Sequence, residues 1–221
     1  MAFVVNIRMR LIVFGASGKC GSHLVRQAAA HGHEVTAVVR SGRGYEAPTG
    51  VKVVLGDVLD SSVTSAAIPG HDAVASGLGI RYAHPWATRD SPDDFISHAT
   101  ANIVTGMQKA GVRRISIISA AGVAESSPTR NLVIRFLIAT SNVGFGYADL
   151  ARAEQVLRES GLDWQAVRPT RLSNGTGNGN PRLTDRFPAS ATIPRADVAA
   201  FMLSELERPA FSSRTPMITG S

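Results

Sequence analysis

The chain of 221 residues is 44% hydrophobic and 18% charged, and 23 basic and 17 acidic side chains give it a formal net charge of +6. This composition excludes an intrinsically disordered chain and predicts a globular protein with a sizeable core. The arginines are scattered without a dense run, which argues against nucleic acid as a partner. We expect a solvated basic surface in which one or two arginines serve an anionic ligand.

The sequence also shows no sign of secretion or membrane insertion. Its one cysteine, Cys20, excludes an intrachain disulfide. Asn6, Arg8 and Arg10 interrupt the first apolar stretch before it reaches the length of a signal peptide. No apolar stretch approaches the ~20 residues that span a bilayer. We therefore expect a cytoplasmic protein with no membrane partner.

A strand, a glycine-rich turn and a helix are the first predicted elements. "RLIVFG", residues 10–15, is a continuous apolar run typical of a strand buried on both faces. From Gly18 to His31 apolar residues recur at helical spacing, and Gly32 follows as a C-cap. The β-branched runs "EVTAVVR" and "VKVVLGD" predict the second and third strands, and a helix is predicted from Asp60 to Ile68.

The remaining elements continue this alternation. We predict a strand in "HDAVASGLG", a helix from about Asp93 to Ala110, a strand in "RRISIISAAG", helices in "NLVIRFLIA" and "YADLARAEQVLRES" joined around Asn142 to Gly146, a strand in "LDWQAVRP", a helix in "RADVAAFMLSELE" and a strand in "TPMITG". This order predicts an α/β protein of the Rossmann type, a doubly wound, mostly parallel sheet with helices on both faces. We expect a single domain over residues 1–221, with 1–8 as an N-terminal extension and 122–146 and 171–194 as substrate-side insertions.

The first turn carries glycines at a Gly-x-x-Gly-x-x-Gly spacing. A parallel strand that leads into a helix aims the free N–H groups and positive dipole end of the helix at this turn, which favours an anion. Glycines permit the tight turn, the approach of a pyrophosphate and the packing of the helix on the sheet. Cys20 fits a small residue beside the cofactor better than a redox-active thiol. The predicted phosphate loop comprises Gly15, Ala16, Ser17, Gly18, Lys19, Cys20 and Gly21.

The end of the second strand indicates which dinucleotide binds. NAD-binding chains usually place a carboxylate about 20 residues beyond the glycines. This chain places Arg40 there, followed by Ser41. A guanidinium can bind the 2′-phosphate that a carboxylate would repel. The predicted cofactor is therefore NADP(H).

Two further strand ends face the same predicted site. Asp57 and Val58 follow the third strand, where the Asp57 carboxylate suits either the adenine amine or the cap of the next helix. Gly77, Leu78 and Gly79 follow the fourth strand near the switch point of the sheet. Bare backbone can lie against the cofactor there, and a plain turn is the alternative.

Several segments together resemble a known family. They are "GASGKCG", Arg40, "GDV", "SGLG", "IISAAG", "ARAEQVLRESGLDWQAVRPTRL" and "IPRADVAAFML". The chain is similar over nearly its whole length to the atypical short-chain dehydrogenases of the NmrA-like group, in particular to the biliverdin reductase B, or flavin reductase, branch. The resemblance implies a domain that binds NADPH, passes a hydride to flavins or similar flat acceptors, and behaves as a monomer, with a homodimer as the alternative.

The same resemblance assigns residues to the reaction. The active-site serine of the family falls on Ser119, and the backbone contact on the nicotinamide side falls on Pro169 and Thr170. Arg171 stands where the flavin reductases carry a histidine, which leaves substrate choice open. The Tyr-x-x-x-Lys pair of ordinary short-chain dehydrogenases is missing, because Ala151 stands four residues after Tyr147. Tyr147 and Arg171 are predicted to lie on the substrate side.

The acceptor side rests on less specific patterns. Trp86 suits stacking on a planar acceptor or anchoring of its loop, and Ser119 suits donation to an acceptor atom or to local backbone. "NGTGNGN" has the composition of a mobile flap or a plain surface loop. The six histidines show no metal-ligand spacing, so we expect no metal. A helix in "NLVIRFLIA" is predicted to bury one face that contains Leu132, Val133, Phe136 and Leu137. That face would pack in the core, line a pocket or form a dimer contact.

These patterns favour an NADPH-dependent oxidoreductase that reduces a flat acceptor such as a flavin, a quinone or a tetrapyrrole. Orientation and water exclusion account for much of the rate of hydride transfer, so the missing tyrosine–lysine pair is tolerable. The same absence makes a non-catalytic sensor of the NADP redox state the alternative. A sugar-nucleotide isomerase or epimerase is disfavoured by the missing pair and by the short C-terminal part.

Overall fold

An eight-stranded sheet organises the computed structural model, which describes residues 8–80, 84, 86, 92–129, 132–188, 190–211 and 214–221. The strands are β1 (Arg10–Phe14), β2 (Glu34–Val39), β3 (Lys52–Leu55), β4 (Ala73–Ser76), β5 (Arg114–Ile118), β6 (Asp163–Pro169), β7 (Arg171–Ser173), β8 (Arg182–Leu183), β9 (Thr192–Pro194) and β10 (Met217–Thr219). The helices are α1 (Gly21–Ala30), α2 (Ser61–Ala67), α3 (Phe95–Ala110), α4 (Leu132–Thr140), α5 (Val143–Glu159) and α6 (Arg195–Leu206), and a 3-10 helix spans Ala124–Thr129.

The sheet is doubly wound. Its strand order is β3-β2-β1-β4-β5-β6-β10-β8, and β7 pairs with β9 in a separate two-stranded sheet. The neighbours in the larger sheet are parallel except for β10 with β8. The chain winds outward from β1 to β3 and then returns to β4 to wind outward on the other side, so β1 and β4 flank the switch point. This order confirms the predicted Rossmann fold.

The central strand β1 shows why this run of apolar residues forms a buried strand. Successive side chains point to opposite faces of a sheet. Leu11 and Val13 enter a core cluster with residues of α1 and α6, whereas Ile12 and Phe14 enter a second cluster with residues of α3 and α5. Each of these β1 side chains is fully buried. Both faces of the sheet are therefore covered by helices, as predicted.

The predicted elements differ from the structure mainly at their ends. Helix α1 begins at Gly21 rather than Gly18, because residues 15–20 form the turn. Helix α5 already begins at Val143, which shortens the predicted linker. The short strands β7, β8 and β9 were not predicted, since two or three residues carry no periodic signal. Most of the predicted N-terminal extension lies outside the described residues, within which no helix combines the length and apolarity needed to cross a membrane.

Helix α4 departs from its predicted burial. Leu132, Val133 and Phe136 are 79%, 59% and 61% exposed, and Leu137 is partly exposed. Of the three alternatives for this face, burial in the core is wrong, whereas a pocket wall and a dimer face stay predictions. The physical reason is that α4 packs chiefly against α5 instead of lying across a face of the sheet. Only Ile134 of this helix packs against a described core cluster, the small one that contains Ala121 and Phe187.

Candidate cofactor and active site

The glycine turn after β1 is too closely packed for side chains. Gly15 has a φ of +70°, and a Cβ atom there would lie 2.9 Å from the main-chain nitrogen of Leu78. A Cβ atom on Gly21 would overlap the carbonyl group of Gly15. On Gly77, a Cβ atom would lie 2.8 Å from the main-chain nitrogen of Gly21. The ends of β1 and β4 thus meet the start of α1 through main chain alone.

This turn also leaves donors available to an anion. The N–H of Ser22 donates to Gly18 O at 2.9 Å and the N–H of Leu24 donates to Cys20 O at 3.1 Å. Within the described residues, no main-chain carbonyl accepts from the N–H groups of Ser17, Lys19 or Cys20. No acidic residue stands in the first turn of α1. These N–H groups, together with the helix dipole, can hold the pyrophosphate of a dinucleotide.

Cys20 is not suited to thiolate chemistry. A helix N-terminus would favour the thiolate, but burial raises the pKa of Cys20 to about 11 and outweighs the opposing charge of Arg195. The side chain is buried and belongs to the core cluster that includes Leu24. This environment favours the predicted small packing residue over a redox-active thiol.

Arg40 follows β2 at the edge where the glycine turn lies. Ala16 N donates to Val38 O at 3.4 Å, which ties the turn to the end of β2. The Arg40 side chain is exposed, and among the described residues no carboxylate pairs with it. Ser41 is exposed and its hydroxyl accepts from Arg43 N at 3.2 Å. This arrangement leaves the guanidinium available to a phosphate.

The third and fourth strand ends complete the cofactor side. Asp57 Oδ1 accepts from Leu59 N at 3.0 Å, but α2 is capped by Asp60, which accepts from Ser62 N at 2.9 Å. The capping alternative for Asp57 is therefore wrong, and its role towards adenine stays a prediction. Val58 is buried. After β4, none of the atoms that the structure describes lies within 4 Å of a Cβ placed on Gly79.

Ser119, at the end of β5, contacts a buried ion pair. Its hydroxyl donates to Glu154 Oε1 at 2.6 Å, and Glu154 on α5 is fully buried. Arg168 on β6, only 2% exposed, donates from Nε to the same oxygen at 2.9 Å and from Nη2 to Oε2 at 2.6 Å. The partner of the hydroxyl is thus a buried carboxylate, and the alternative that Ser119 satisfies local backbone is wrong.

The ion pair continues outward to the surface. Arg158 donates to Glu154 Oε2 at 3.2 Å and to Glu125 Oε2 at 3.1 Å, and Arg168 Nη2 lies 2.9 Å from Glu125 Oε1. Desolvation raises the pKa of Glu125, but the hydrogen bond and charge of Arg168, with the charge of Arg158, bring it to about 2. Burial lowers the pKa of Arg168, but its bonds to both carboxylates outweigh burial and raise it.

Glu154 and Arg168 were not predicted as site residues. A glutamate on an amphipathic helix usually belongs to its solvated face, so Glu154 gives no signal by itself. Arg168 does give one, because it is a charged residue in the second half of the predicted strand "LDWQAVRP", directly after Ala166 and Val167. A charge in a buried strand needs a buried partner. That rule predicts an acidic partner for Arg168 on a helix packed against the strand.

The predicted nicotinamide-side residues adjoin Ser119. Ser119 N donates to Val167 O at 2.7 Å and Ala121 N donates to Pro169 O at 2.9 Å, so the ends of β5 and β6 lie side by side. Thr170 is buried, and its hydroxyl donates to Thr219 Oγ1 at 3.1 Å. The structure thus brings Ser119, Pro169 and Thr170 together at the carboxyl edge of the sheet.

The predicted substrate-side residues lie around this edge. Tyr147 donates its hydroxyl hydrogen to Ala121 O at 3.0 Å, two residues beyond Ser119. Trp86 Nε1 donates to Thr140 O at 2.9 Å, so this side chain anchors its segment to the end of α4 while 57% of it stays exposed. Arg171 on β7 is exposed.

The glycine–asparagine loop at residues 174–180 is tied to α6. Asp197, in the first turn of α6 and only 2% exposed, accepts from Asn178 N at 3.3 Å and from Gly179 N at 2.8 Å. Arg195 donates to Asn174 Oδ1 at 2.6 Å. These bonds favour an anchored surface loop over the predicted mobile flap.

Two histidines and a glutamate meet at the opposite end of the sheet. His31 Nδ1 and His33 Nε2 each lie 2.8 Å from Glu207 Oε1, although the sequence spacing predicts no metal ligands. Met9 N donates to His33 Nδ1 at 3.2 Å, so the proton of the neutral ring is on Nε2 and is donated to Glu207. Both nitrogens of His33 are used within the chain, and the cluster fastens α1 to the end of α6.

A cleft of about 360 Å³ opens between β3 and α2, with Val54, Val63 and His71 among its lining residues. None of the predicted site residues lines it. Because the glycine turn and Ser119 follow β1 and β5, this cleft is separate from the candidate site.

The chain is similar to a family of NAD(P)H-binding proteins and to several individual proteins. A family model described as NAD(P)H-binding matches residues 15–209. The chain is 28% identical to the UPF0659 protein YMR090W of Saccharomyces cerevisiae, over 91% of this chain and 88% of that protein. It is 36% identical to the 3-diazoavenalumate denitrifying reductase of a Streptomyces species, over 48% of this chain and 36% of that protein. The structure of ChuY, an anaerobilin reductase from Escherichia coli O157:H7, is 25% identical, with a TM-score of 0.77 over 94% of this chain and 95% of that chain.

The family match spans the glycine turn, Arg40, Ser119 and the end of β6. The resemblance to atypical short-chain dehydrogenases is thereby confirmed at the level of a nicotinamide-coenzyme family with reductases among its neighbours, while the flavin reductase branch stays a prediction. On the strength of its sheet order, its glycine turn and this match, the chain belongs to the NAD(P)H-binding family.

Proposed function

We propose that this protein is an NADPH-dependent oxidoreductase that transfers a hydride to a flat acceptor of the flavin, quinone or tetrapyrrole type. The observation that carries the proposal is the glycine turn, where main chain alone forms an anion cradle at the switch point of the sheet. Bound NADPH would supply the hydride, and the chain would supply its orientation. Similarity to ChuY, a reductase, supports reduction as the reaction class.

The choice of NADPH over NADH rests on Arg40. Arg40 is exposed directly after β2, whose end is hydrogen-bonded to the glycine turn, and it has no carboxylate partner among the described residues. Ser41 adds a hydroxyl. A 2′-phosphate would receive charge-assisted, paired hydrogen bonds from this group. The ribose hydroxyl of NADH would receive much weaker ones.

The acceptor would bind over the ends of β5 and β6, between residues 122–146 and 171–194. Exposed Leu132, Val133 and Phe136 of α4, with the face of Trp86, offer apolar surface to a flat ring system. Pro169 and Thr170 would hold the nicotinamide side through main chain. Because Ala151 replaces the lysine of the usual pair, the acceptor would take its proton from solvent.

A sensor of the NADP redox state is the second candidate, and a specific observation favours it. Ser119 and Tyr147 donate their hydroxyl hydrogens to Glu154 and to Ala121 O, so neither hydrogen is directed at an acceptor. A sensor would bind coenzyme tightly, turn nothing over, and discriminate NADP from NADPH.

Turnover and coenzyme binding, measured separately, distinguish the two candidates. Purified protein is mixed with NADPH and riboflavin or a quinone while the loss of reduced-nicotinamide absorbance is followed, and coenzyme affinity is measured separately by calorimetry. The oxidoreductase predicts turnover with at least one flat acceptor. Coenzyme binding with no turnover across a broad acceptor panel would favour the sensor, and no coenzyme binding would overturn both.

A further inference from the structure

We propose that Glu154 is a positioning residue that makes the hydroxyl of Ser119 a hydrogen-bond acceptor for an N–H group of the bound ligands. The inference rests on the proposed function, because it concerns the reacting end of the same coenzyme site. It reverses the expectation that Ser119 donates to an acceptor atom that gains charge. It also assigns a role to a buried ion pair that coenzyme binding alone does not require.

The argument begins with the single hydrogen of a serine hydroxyl. A hydroxyl has one hydrogen to donate and two lone pairs that accept. Ser119 donates its hydrogen to Glu154 Oε1 at 2.6 Å. Ser119 is 5% exposed and Glu154 is fully buried, so water does not compete for this bond. The lone pairs of Ser119 Oγ are then what remains for a ligand.

The guanidinium groups around Glu154 prevent the opposite arrangement. Arg168 and Arg158 together donate to both oxygens of the Glu154 carboxylate. A carboxylate paired with guanidinium groups has lone pairs only and no hydrogen to donate. Glu154 therefore accepts on every side and cannot donate to Ser119. Because Arg168 and Arg158 hold the carboxylate of Glu154 in place, the carboxylate orients the hydroxyl of Ser119.

An acceptor at this position selects ligands by their N–H groups. The shared chemistry is an N–H donor, and it has two sources at the reacting end of the site: the carboxamide of the nicotinamide, and a ring N–H of a flavin or pyrrole acceptor. A developing oxyanion, as on a reduced quinone, would face the lone pairs of Ser119 and gain nothing from them.

Replacing Ser119 tests the direction of the bond without disturbing the ion pair. In S119A, Glu154 keeps its bonds to Arg168 and Arg158. Calorimetry would compare NADPH with its analogue in which an acetyl group replaces the carboxamide, and turnover would compare riboflavin with its N3-methyl derivative and with a quinone. S116A is the matched control, because Ser116 lies on the same strand, is fully buried, and has no partner for its hydroxyl in the described structure.

If the carboxamide is the donor, S119A weakens NADPH binding about 5- to 10-fold and leaves the analogue unchanged. If the acceptor ring is the donor, S119A lowers kcat/KM by a similar factor for riboflavin alone. In either case S116A changes neither quantity by more than about 2-fold. The inference would be overturned if S119A weakened NADPH and its analogue equally and also lowered turnover equally for riboflavin, its N3-methyl derivative and the quinone. No loss with any probe, or a larger loss with the quinone, would overturn it as well.

A double-mutant cycle with Ser119 tests the positioning role of Glu154. E154L, which offers Ser119 no acceptor, should remove the preference for N–H-bearing probes in the wild-type background and add nothing to S119A. Since E154L leaves the buried Arg168 cation without its carboxylate, E154L/R168M is the second variant, in which two apolar side chains replace the ion pair and the hydrogen of Ser119 is released. Retention of the N–H preference in a folded double variant would overturn the inference. Absence of NADPH binding in the wild type would instead overturn the proposed function.

Discussion

The glycine turn and helix α4, which we propose as the coenzyme side and the acceptor side of the site, are built in different ways. Around the glycine turn, a Cβ atom on Gly21 or Gly77 would collide with main-chain atoms. On α4, in contrast, Leu132 and Phe136 are 79% and 61% exposed. Close-packed main chain suits one ligand of fixed shape, such as a pyrophosphate. Exposed apolar side chains can be exchanged at little cost to the fold, so we infer that the acceptor side tolerates changes in substrate choice.

Gly21→Ala is the substitution for which we expect the largest effect. The added Cβ overlaps the carbonyl of Gly15, so α1 must shift from β1, and we expect a loss of about 3 kcal/mol in the free energy of unfolding. Coenzyme binding should disappear with it. Denaturant unfolding and calorimetry measure the two effects.

Gly79→Ala is the matched control, because no atom of the described residues lies within 4 Å of a Cβ atom at that position. Its free energy of unfolding should stay within about 0.5 kcal/mol of the wild type. Equal stabilities for the Gly21 and Gly79 variants would show that close packing at Gly21 does not hold α1 against β1.

The sequence predicted the two sides unequally, for physical reasons. The coenzyme side follows from periodicity and glycine spacing, because β1 and α1 bury regular faces against one another. α4 carries a similar apolar stripe, yet it lies beyond the sheet, and the pattern cannot distinguish a stripe that meets the core from one that meets solvent. Glu154 was missed because its burial depends on where α5 packs against β6, which is a tertiary contact.

Arg40→Ala should have the next largest effect. Loss of the charge-assisted bonds to the 2′-phosphate should weaken NADPH binding by about 1.5–3 kcal/mol, while NADH binding changes less than about 2-fold. Arg113→Ala is the control, since it removes the same charge at the opposite end of the sheet, where Arg113 pairs with Asp163 at 3.3 Å. Equal weakening of both coenzymes by Arg40→Ala would contradict the assignment.

The free energy of unfolding should depend on pH through Glu125, which pairs with Arg168 and Arg158. The pKa of Glu125 is lowered from 4.5 to about 2 in the folded chain. A depressed carboxyl pKa contributes stability that is complete above the unfolded value and is lost as the pH falls towards the folded one. The wild type should exceed E125Q by about 0.5–1 kcal/mol at pH 7, since Glu125 is partly exposed.

This margin should shrink as the pH falls below about 4.5 and vanish near pH 2. Denaturant unfolding of both proteins between pH 7 and pH 2 measures it. A margin that grows in acid would show that Glu125 is not held ionised by Arg168 and Arg158.

The smallest effect on stability is expected at α4. The same substitution tests what the apolar face of this helix does. Phe136→Ser should change the free energy of unfolding by less than about 0.5 kcal/mol, because the side chain is already 61% exposed. If α4 forms the wall of the acceptor site, the KM for a flat acceptor rises several-fold and the KM for NADPH stays constant. Val53→Ser, on the edge strand β3 and 40% exposed, should alter neither. If α4 is instead a dimer face, Phe136→Ser lowers the sedimentation coefficient at equal concentration and leaves both KM values unchanged, and the acceptor must then be bound by the main chain of β5 and β6 alone.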